Sequence, residues 1–160
     1  MTVPATENSN PDLSFRPAGI FDLDLLAELH RQCFQSGWDR AWSAQSFAEI
    51  LAMPGAAGLI VADGDAPIGF GLTLRAVDEV ELLLLAILPE QRRHGFAGKL
   101  LAALLQRARK EGARRALLEV AAPNEPAIAC YQRAGFTQCG RRKAYYSGEI
   151  DALIFEKSLE

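Results

Sequence analysis

The chain has 160 residues, enough to bury a real core and too few for two catalytic domains. Hydrophobic residues make up 49% of it, charged residues 23% and aromatics 8%, which fits a globular protein and excludes the low-hydrophobicity signature of disorder. With 17 Lys and Arg against 20 Asp and Glu the net charge is −3, so the basic footprint needed for direct nucleic-acid binding is missing.

Leu13 to Arg16 reads as a short strand, followed after Pro17 and Gly19 by a helix with an apolar face through Phe21, Leu25, Leu26, Leu29 and Cys33. A second helix is expected from Trp42-Ser43 to about Met53, with Ser43 as N-cap and Trp42 and Phe47 closing a hydrophobic staple. Gly58 to Ala62 and Pro67 to Leu74 read as strands joined through Asp63-Gly64-Asp65, which has hairpin chemistry. Val80 to Leu88 is a third strand of this group, and its run from Leu82 to Leu88 is apolar on both faces, as for a strand covered by helices on both sides. From Gly95 the period changes to that of a helix, with Ala97, Leu100, Leu101, Leu104, Leu105 and Ala108 on one face and Gly112 after its last turn. Ala116 to Ala121 is again a strand, Asn124 caps a short helix carrying Ile128 and Tyr131 that ends at Gly135, and strands at about Phe136 to Tyr145 and Ile150 to Glu156 follow. With no repeat and no change of composition, residues 12–158 read as one α/β domain behind a mobile polar leader, Met1 to Pro11.

Cys33, Cys130 and Cys139 contain no C-x-x-C pair, so neither a disulfide framework nor a metal site is expected; Cys130 and Cys139 read as packing residues. The leader has no Lys or Arg and no apolar core, unlike a signal peptide. The longest apolar stretch, Leu82 to Leu88, is far too short to span a membrane, and a cytoplasmic location follows by elimination.

The most informative segment is Gln91 to Gly98, between the buried strand and the strong helix. Backbone N–H groups at a helix N-terminus lack intrahelical partners, and the macrodipole adds partial positive charge there. Gly95, Ala97 and Gly98 would let an anion approach that backbone, with Arg92 and Arg93 adding charge-assisted bonds. The alternative is a plain strand-to-helix turn with a solvated basic cluster. Neither G-x-G-x-x-G nor a Walker loop is present. Glu119, inside the apolar Leu117-Leu118-Glu119-Val120, belongs either at a cleft or on a solvated face. Tyr131 taken alone is a core aromatic, Arg141-Arg142-Lys143 is a solvated or phosphate-meeting cluster, and Tyr145-Tyr146 are strand residues or the cover of a peptide entrance.

Arg92-x-x-Gly95-x-Ala97 resembles the Gln/Arg-x-x-Gly-x-Gly/Ala motif at which GNAT acetyltransferases bind the pyrophosphate of acetyl-CoA. Leu85-Ala86-Ile87-x-Pro89-Glu90, Leu118-Glu119-Val120, Asn124 with Ala127-Ile128-Ala129-x-Tyr131, Gly135-Phe136, Arg141-Arg142-x-x-Tyr145-Tyr146 and Trp42-Ser43-x-x-x-Phe47 look like the ribosomal-protein alanine N-acetyltransferases of bacteria within that family. The resemblance runs from about Leu13 to Leu159; Ala97 departs from the commoner glycine, and Gly37 to Arg40 looks like extra loop.

That resemblance implies a GNAT fold, a mixed, mostly antiparallel sheet of about six or seven strands flanked by about four helices. It implies acetyl-CoA as cosubstrate and no metal, with the backbone of Leu85, Ala86 and Ile87 on the pantetheine arm, Arg92, Arg93, His94, Gly95, Phe96, Ala97 and Gly98 around the pyrophosphate, and Asn124 near the thiol end. Glu119 matches the general base and Tyr131 the general acid of a direct attack in a ternary complex. The implied acceptor is the N-terminal alanine of a ribosomal protein, with a lysine or small-molecule amine, or a CoA-binding module without turnover, as the alternatives. An α-amine, with a pKa of about 7.7 to 8, is roughly a tenth or more neutral at neutral pH, whereas lysine near 10.4 is almost fully charged, which favours the N-terminal acceptor. A monomer or weak dimer acting away from membranes is expected.

Overall fold

The computed structural model describes residues 12–35, 42–146 and 148–160; the expected leader Met1 to Pro11 and the Gly37 to Arg40 segment lie outside these. The elements follow the order β1 (Leu13–Pro17), α1 (Leu23–Cys33), α2 (Ala44–Leu51), β2 (Ala56–Asp63), β3 (Ala66–Ala76), β4 (Glu79–Ile87), α3 (Phe96–Lys110), β5 (Arg115–Ala121), α4 (Glu125–Arg133), β6 (Thr137–Tyr146) and β7 (Ile150–Ser158). Local chemistry explains most of these limits. Ser43 accepts a bond from the Ser46 N–H at 3.2 Å, and the Trp42 and Phe47 rings meet at 5.2 Å, so α2 starts with both its cap and its staple. Gly112 and Gly135, at φ +102° and +93°, take the left-handed conformation that follows α3 and α4.

The first helix corrects an expectation. Ile20–Asp22 form a 3₁₀ turn, and Phe21 is 97% exposed instead of lying on the apolar face of α1. Asp22 causes this: its carboxylate accepts from the Gly19 N–H at 2.9 Å and from both Arg16 terminal nitrogens at 2.8 and 3.0 Å. The turn is pinned to β1, and the α-helix starts only beyond it. Cys139, expected to pack, is also exposed, because it falls at a register shift of β6 between Gln138 and Gly140, out of step with β7.

The seven strands form one sheet in the order β1-β2-β3-β4-β5-β7-β6, antiparallel except between β4 and β5. One core lies between the sheet and α3 and α4, built on Leu100, Leu101, Leu104, Leu118 and Phe155; a second lies beneath α1 and α2, around Leu26, Phe47, Ile60 and Phe70. β4 feeds both. Opposite β3, Leu82 faces Thr73 and Leu84 faces Leu72, which leaves Leu83 as the extra residue of a β-bulge. Leu83 and Leu84 therefore both pack toward α1 and α2, while Leu82, Leu85 and Ile87 pack toward α3.

Close approach of β3 and β4 requires Gly69, where an added Cβ would overlap the Ala86 carbonyl oxygen. Gly69→Ala is expected to lower the unfolding free energy in urea by about 1–3 kcal/mol through overpacking. Gly98→Ala, whose Cβ meets nothing within 4 Å, stays within about 0.5 kcal/mol of the parent.

Candidate active site

β4 and β5 pair in parallel only from Glu79 opposite Arg115 to Leu82 opposite Leu118. Beyond this, β4 continues to Ile87 bonded to β3 alone, and β5 continues through Glu119 to Ala121 bonded to β7 alone. The bulge at Leu83 stands where the pairing stops, and a bulged strand bends. The two facing edges consequently offer backbone N–H and C=O groups inside the sheet with no strand to meet them, the arrangement that accepts an extended, amide-bearing chain.

The end of β4 leads through a 3₁₀ turn, Pro89–Gln91, into the N-terminus of α3. Gly95 caps that helix at φ +77°, and the first intrahelical bond is Lys99 N–H to Gly95 O at 3.2 Å. Among the described residues, the N–H groups of Arg93 to Gly98 donate to nothing. Arg93 is itself left-handed at φ +67°, and a Cβ on Gly95 or Gly98 meets nothing within 4 Å, so there is room above these donors. Left-handed turns with consecutive outward N–H groups form anion-binding concavities. Phe96, 6% exposed, anchors the first turn in the core, and the exposed His94 ring lies 5.4 Å from it.

Arg92 does something different from its sequence neighbours. Its Nε donates to Ile87 O at 3.0 Å and a terminal nitrogen donates to Cys33 O at 3.0 Å, so its guanidinium ties the end of α1 to the end of β4 instead of facing the turn. Beneath that tie, burial pushes the Cys33 thiol up to about 11, against the opposing charge of Arg92, and burial also raises Cys130; neither is a ready nucleophile.

Glu119 is the first residue of β5 past its last pair with β4. Leu118 and Val120 point into the core under α3 and α4, so alternation turns Glu119 to the other face. There its Oε1 lies 3.2 Å from Arg142 Nε, with the carboxylate side chain 21% exposed. Tyr131 of α4 packs on the opposite face, 8% exposed, its ring 6.1 Å from Phe136. The Tyr131 hydroxyl has no hydrogen-bond partner among the described residues. Burial first, then Cys130 and Tyr146, hold its phenol above the ordinary tyrosine value, so it stays protonated. Asn124 caps α4 through Oδ1 to the Ala127 N–H at 3.4 Å.

Leu85 to Ile87 and Arg93 to Gly98 thus gather at one end of the β4–β5 opening, Glu119 and Tyr131 stand on opposite faces of the sheet, and the Arg92 side chain is directed away. Glu81 escaped the sequence reading; burial, then the charge of Glu119, raises its carboxyl, while Arg142 opposes the rise. The signal was available in the alternation of β4, where Val80 and Leu82 are core residues and Glu81 must face the other way.

The acetyltransferase (GNAT) family matches residues 23–136, well over half of the chain. The chain belongs to this family. The [ribosomal protein bS18]-alanine N-acetyltransferase of Escherichia coli (strain K12) is 36% identical over 88 residues, a match covering 53% of the chain and 60% of that relative's length. A Bacillus subtilis (strain 168) protein, named provisionally for the same activity, is 30% identical over 135 residues, covering 83% of the chain and 87% of its own length. The crystal structure of the Escherichia coli ribosomal-protein-S18-alanine N-acetyltransferase superposes on this GNAT chain with a TM-score of 0.83 at 25% identity, covering 92% of the chain and 94% of that structure. No helix among the described residues of this GNAT chain is long and apolar enough to cross a membrane.

Proposed function

We propose that this GNAT chain transfers the acetyl group of acetyl-CoA to the N-terminal α-amine of a protein, with an alanine-first ribosomal protein as acceptor, in the cytoplasm and by direct attack in a ternary complex. The observation that carries this reading is the opening between β4 and β5, with unbonded N–H groups at its end and Glu119 and Tyr131 on opposite faces. The residues present fit the cosubstrate. The Arg93 to Gly98 turn has donors and room for a diphosphate, and the β4 edge from Leu83 to Ile87 has groups for the amides of a pantetheine arm. Asn124 stands at the start of α4, just past β5, as the further polar contact. When bound, acetyl-CoA supplies a thioester, which an amine converts to an amide with release of the thiol.

Glu119 takes the proton that the attacking amine must lose, directly or through a water. Tyr131 Oη, kept protonated by burial, supplies a proton to the departing sulfur from the other face. Because an α-amine needs little help to shed its proton near neutral pH, a single partly exposed carboxylate suffices for it, whereas lysine demands more. The names of the Escherichia coli and Bacillus subtilis relatives support the same acceptor. The test offers acetyl-CoA with alanine-first hexapeptides, amine-blocked peptides containing lysine, and a polyamine, followed by thiol release and mass spectrometry. Acetylation of the free alanine peptides is expected; turnover confined to lysine or the polyamine contradicts the acceptor assignment.

Gly98→Val adds its methyl groups where a Cβ meets nothing within 4 Å, so it should weaken acetyl-CoA binding by at least about tenfold in titration calorimetry with stability changed by less than about 1 kcal/mol. Tyr131→Phe should lower kcat on the order of 10²-fold with the KM for acetyl-CoA little changed. Glu119→Gln should lose most activity below about pH 7.7, where the acceptor amine arrives protonated, and recover toward alkaline pH; an equal loss at every pH contradicts a base role.

A further inference from the structure

The face of the sheet that carries Glu119 also carries Glu81. Val80 and Leu82 point into the core under α3, so Glu81 points the other way, and its opposite residue on β5 is Leu117, one pleat from Glu119. The charge of Glu119 raises the carboxyl of Glu81, after burial, and Arg142 opposes the rise.

Arg142 on β6 is placed to relieve it. Its Nε is 3.2 Å from Glu119 Oε1, and its guanidinium carbon is 5.2 Å from the Tyr145 ring centroid, within cation–π range. The local backbone accounts for its direction. β6 and β7 lose register between Arg142 and Tyr146, and Asp151 of β7 fastens the resulting bulge by accepting from the Ala144 N–H at 2.8 Å and from Arg141 Nε at 2.7 Å. Ala144 is left-handed there, at φ +51°. Arg141 is thereby committed to Asp151, on which Lys143 also acts, and Arg142 to Glu119. Among the described residues, this side of the sheet also carries Arg115, paired with Glu79 and Glu156 at the far end of β5, and Arg16, paired with Asp22 beside β1. Among the described residues, Arg142 is the cation paired with Glu119.

We propose that Arg142 is a positioning residue for Glu119: its guanidinium, braced on the Tyr145 ring, holds the carboxylate in place beside the β4–β5 opening, on the face it shares with Glu81. The inference rests on Glu119 being the proton acceptor and deepens that reading. The sign is fixed by electrostatics. A cation beside a carboxylate favours its charged form, so removing the guanidinium raises the pH at which Glu119 ionises and narrows the range in which it accepts a proton. Removing the charge of Glu81 acts in the opposite direction.

The test is a titration of the Glu119 carboxyl carbon by NMR in the unliganded protein, beside the pH profile of kcat/KM for an alanine-first peptide. Arg142→Gln should move the Glu119 midpoint up by roughly a few tenths of a pH unit, because the Arg142 side chain is half exposed, Arg142→Lys should restore most of the shift, and adding Glu81→Gln to Arg142→Gln should bring the midpoint back down. The acid limb of kcat/KM should follow these midpoints while the KM for acetyl-CoA stays unchanged. A Glu119 midpoint that is the same in Arg142→Gln, or that Glu81→Gln fails to lower, overturns the positioning role and leaves the assignment of the base intact. Midpoints that shift as stated while the pH profile ignores them, and is also unaltered by Glu119→Gln, overturn the assignment of the base and the positioning role with it.

Discussion

The parting of β4 from β5 is the constraint on which the rest of this structure depends. A continuous parallel pair would satisfy every backbone group on both strands and leave nothing for a ligand to bind. Here the extra residue Leu83 bends β4 at the last shared pair, and the two strands go on separately with β3 and β7 as their partners. Unmade sheet hydrogen bonds are costly when buried, so the surrounding packing must hold the opening in place. The second core, with Leu83, Leu84, Phe47 and Phe70, does so from one side and the α3 core from the other. The Arg92 bridge from Ile87 O to Cys33 O ties the end of β4 to α1 as well.

The charge of the site is divided along the opening. At one end the α3 N-terminus and the left-handed turn collect N–H donors without acceptors among the described residues, which favours an anion. On the face away from α3, Glu81 and Glu119 favour a cation, tempered by Arg142. Under the proposed function, an acidic chain of net charge −3 takes a polyanionic cosubstrate through backbone dipoles instead of through a field of basic side chains.

The features that local chemistry decides were legible in the sequence. The period of α3, the caps at Ser43 and Asn124, the Trp42–Phe47 staple and the apolar character of β4 each depend on residues within a few positions of one another. The Gln91 to Gly98 turn was legible for the same reason. What escaped depends on partners distant in sequence. Phe21 is exposed because Asp22 is bound by Arg16; Arg92 leaves the turn for the Cys33 carbonyl; and Glu81, Glu119 and Arg142 meet only once β4, β5 and β6 share a sheet. The bulge at Leu83 was hidden by the uniformity of the leucine run, in which an added residue changes no pattern.

Backbone amide exchange with and without acetyl-CoA tests the central claim most directly. If the opening takes the cosubstrate as a substitute strand, amides on the β4 edge between Leu83 and Ile87 and in the Arg93 to Gly98 turn gain protection together on binding, while those of β6 do not. Binding without protection on that edge, or protection confined to another part of the sheet, contradicts the account.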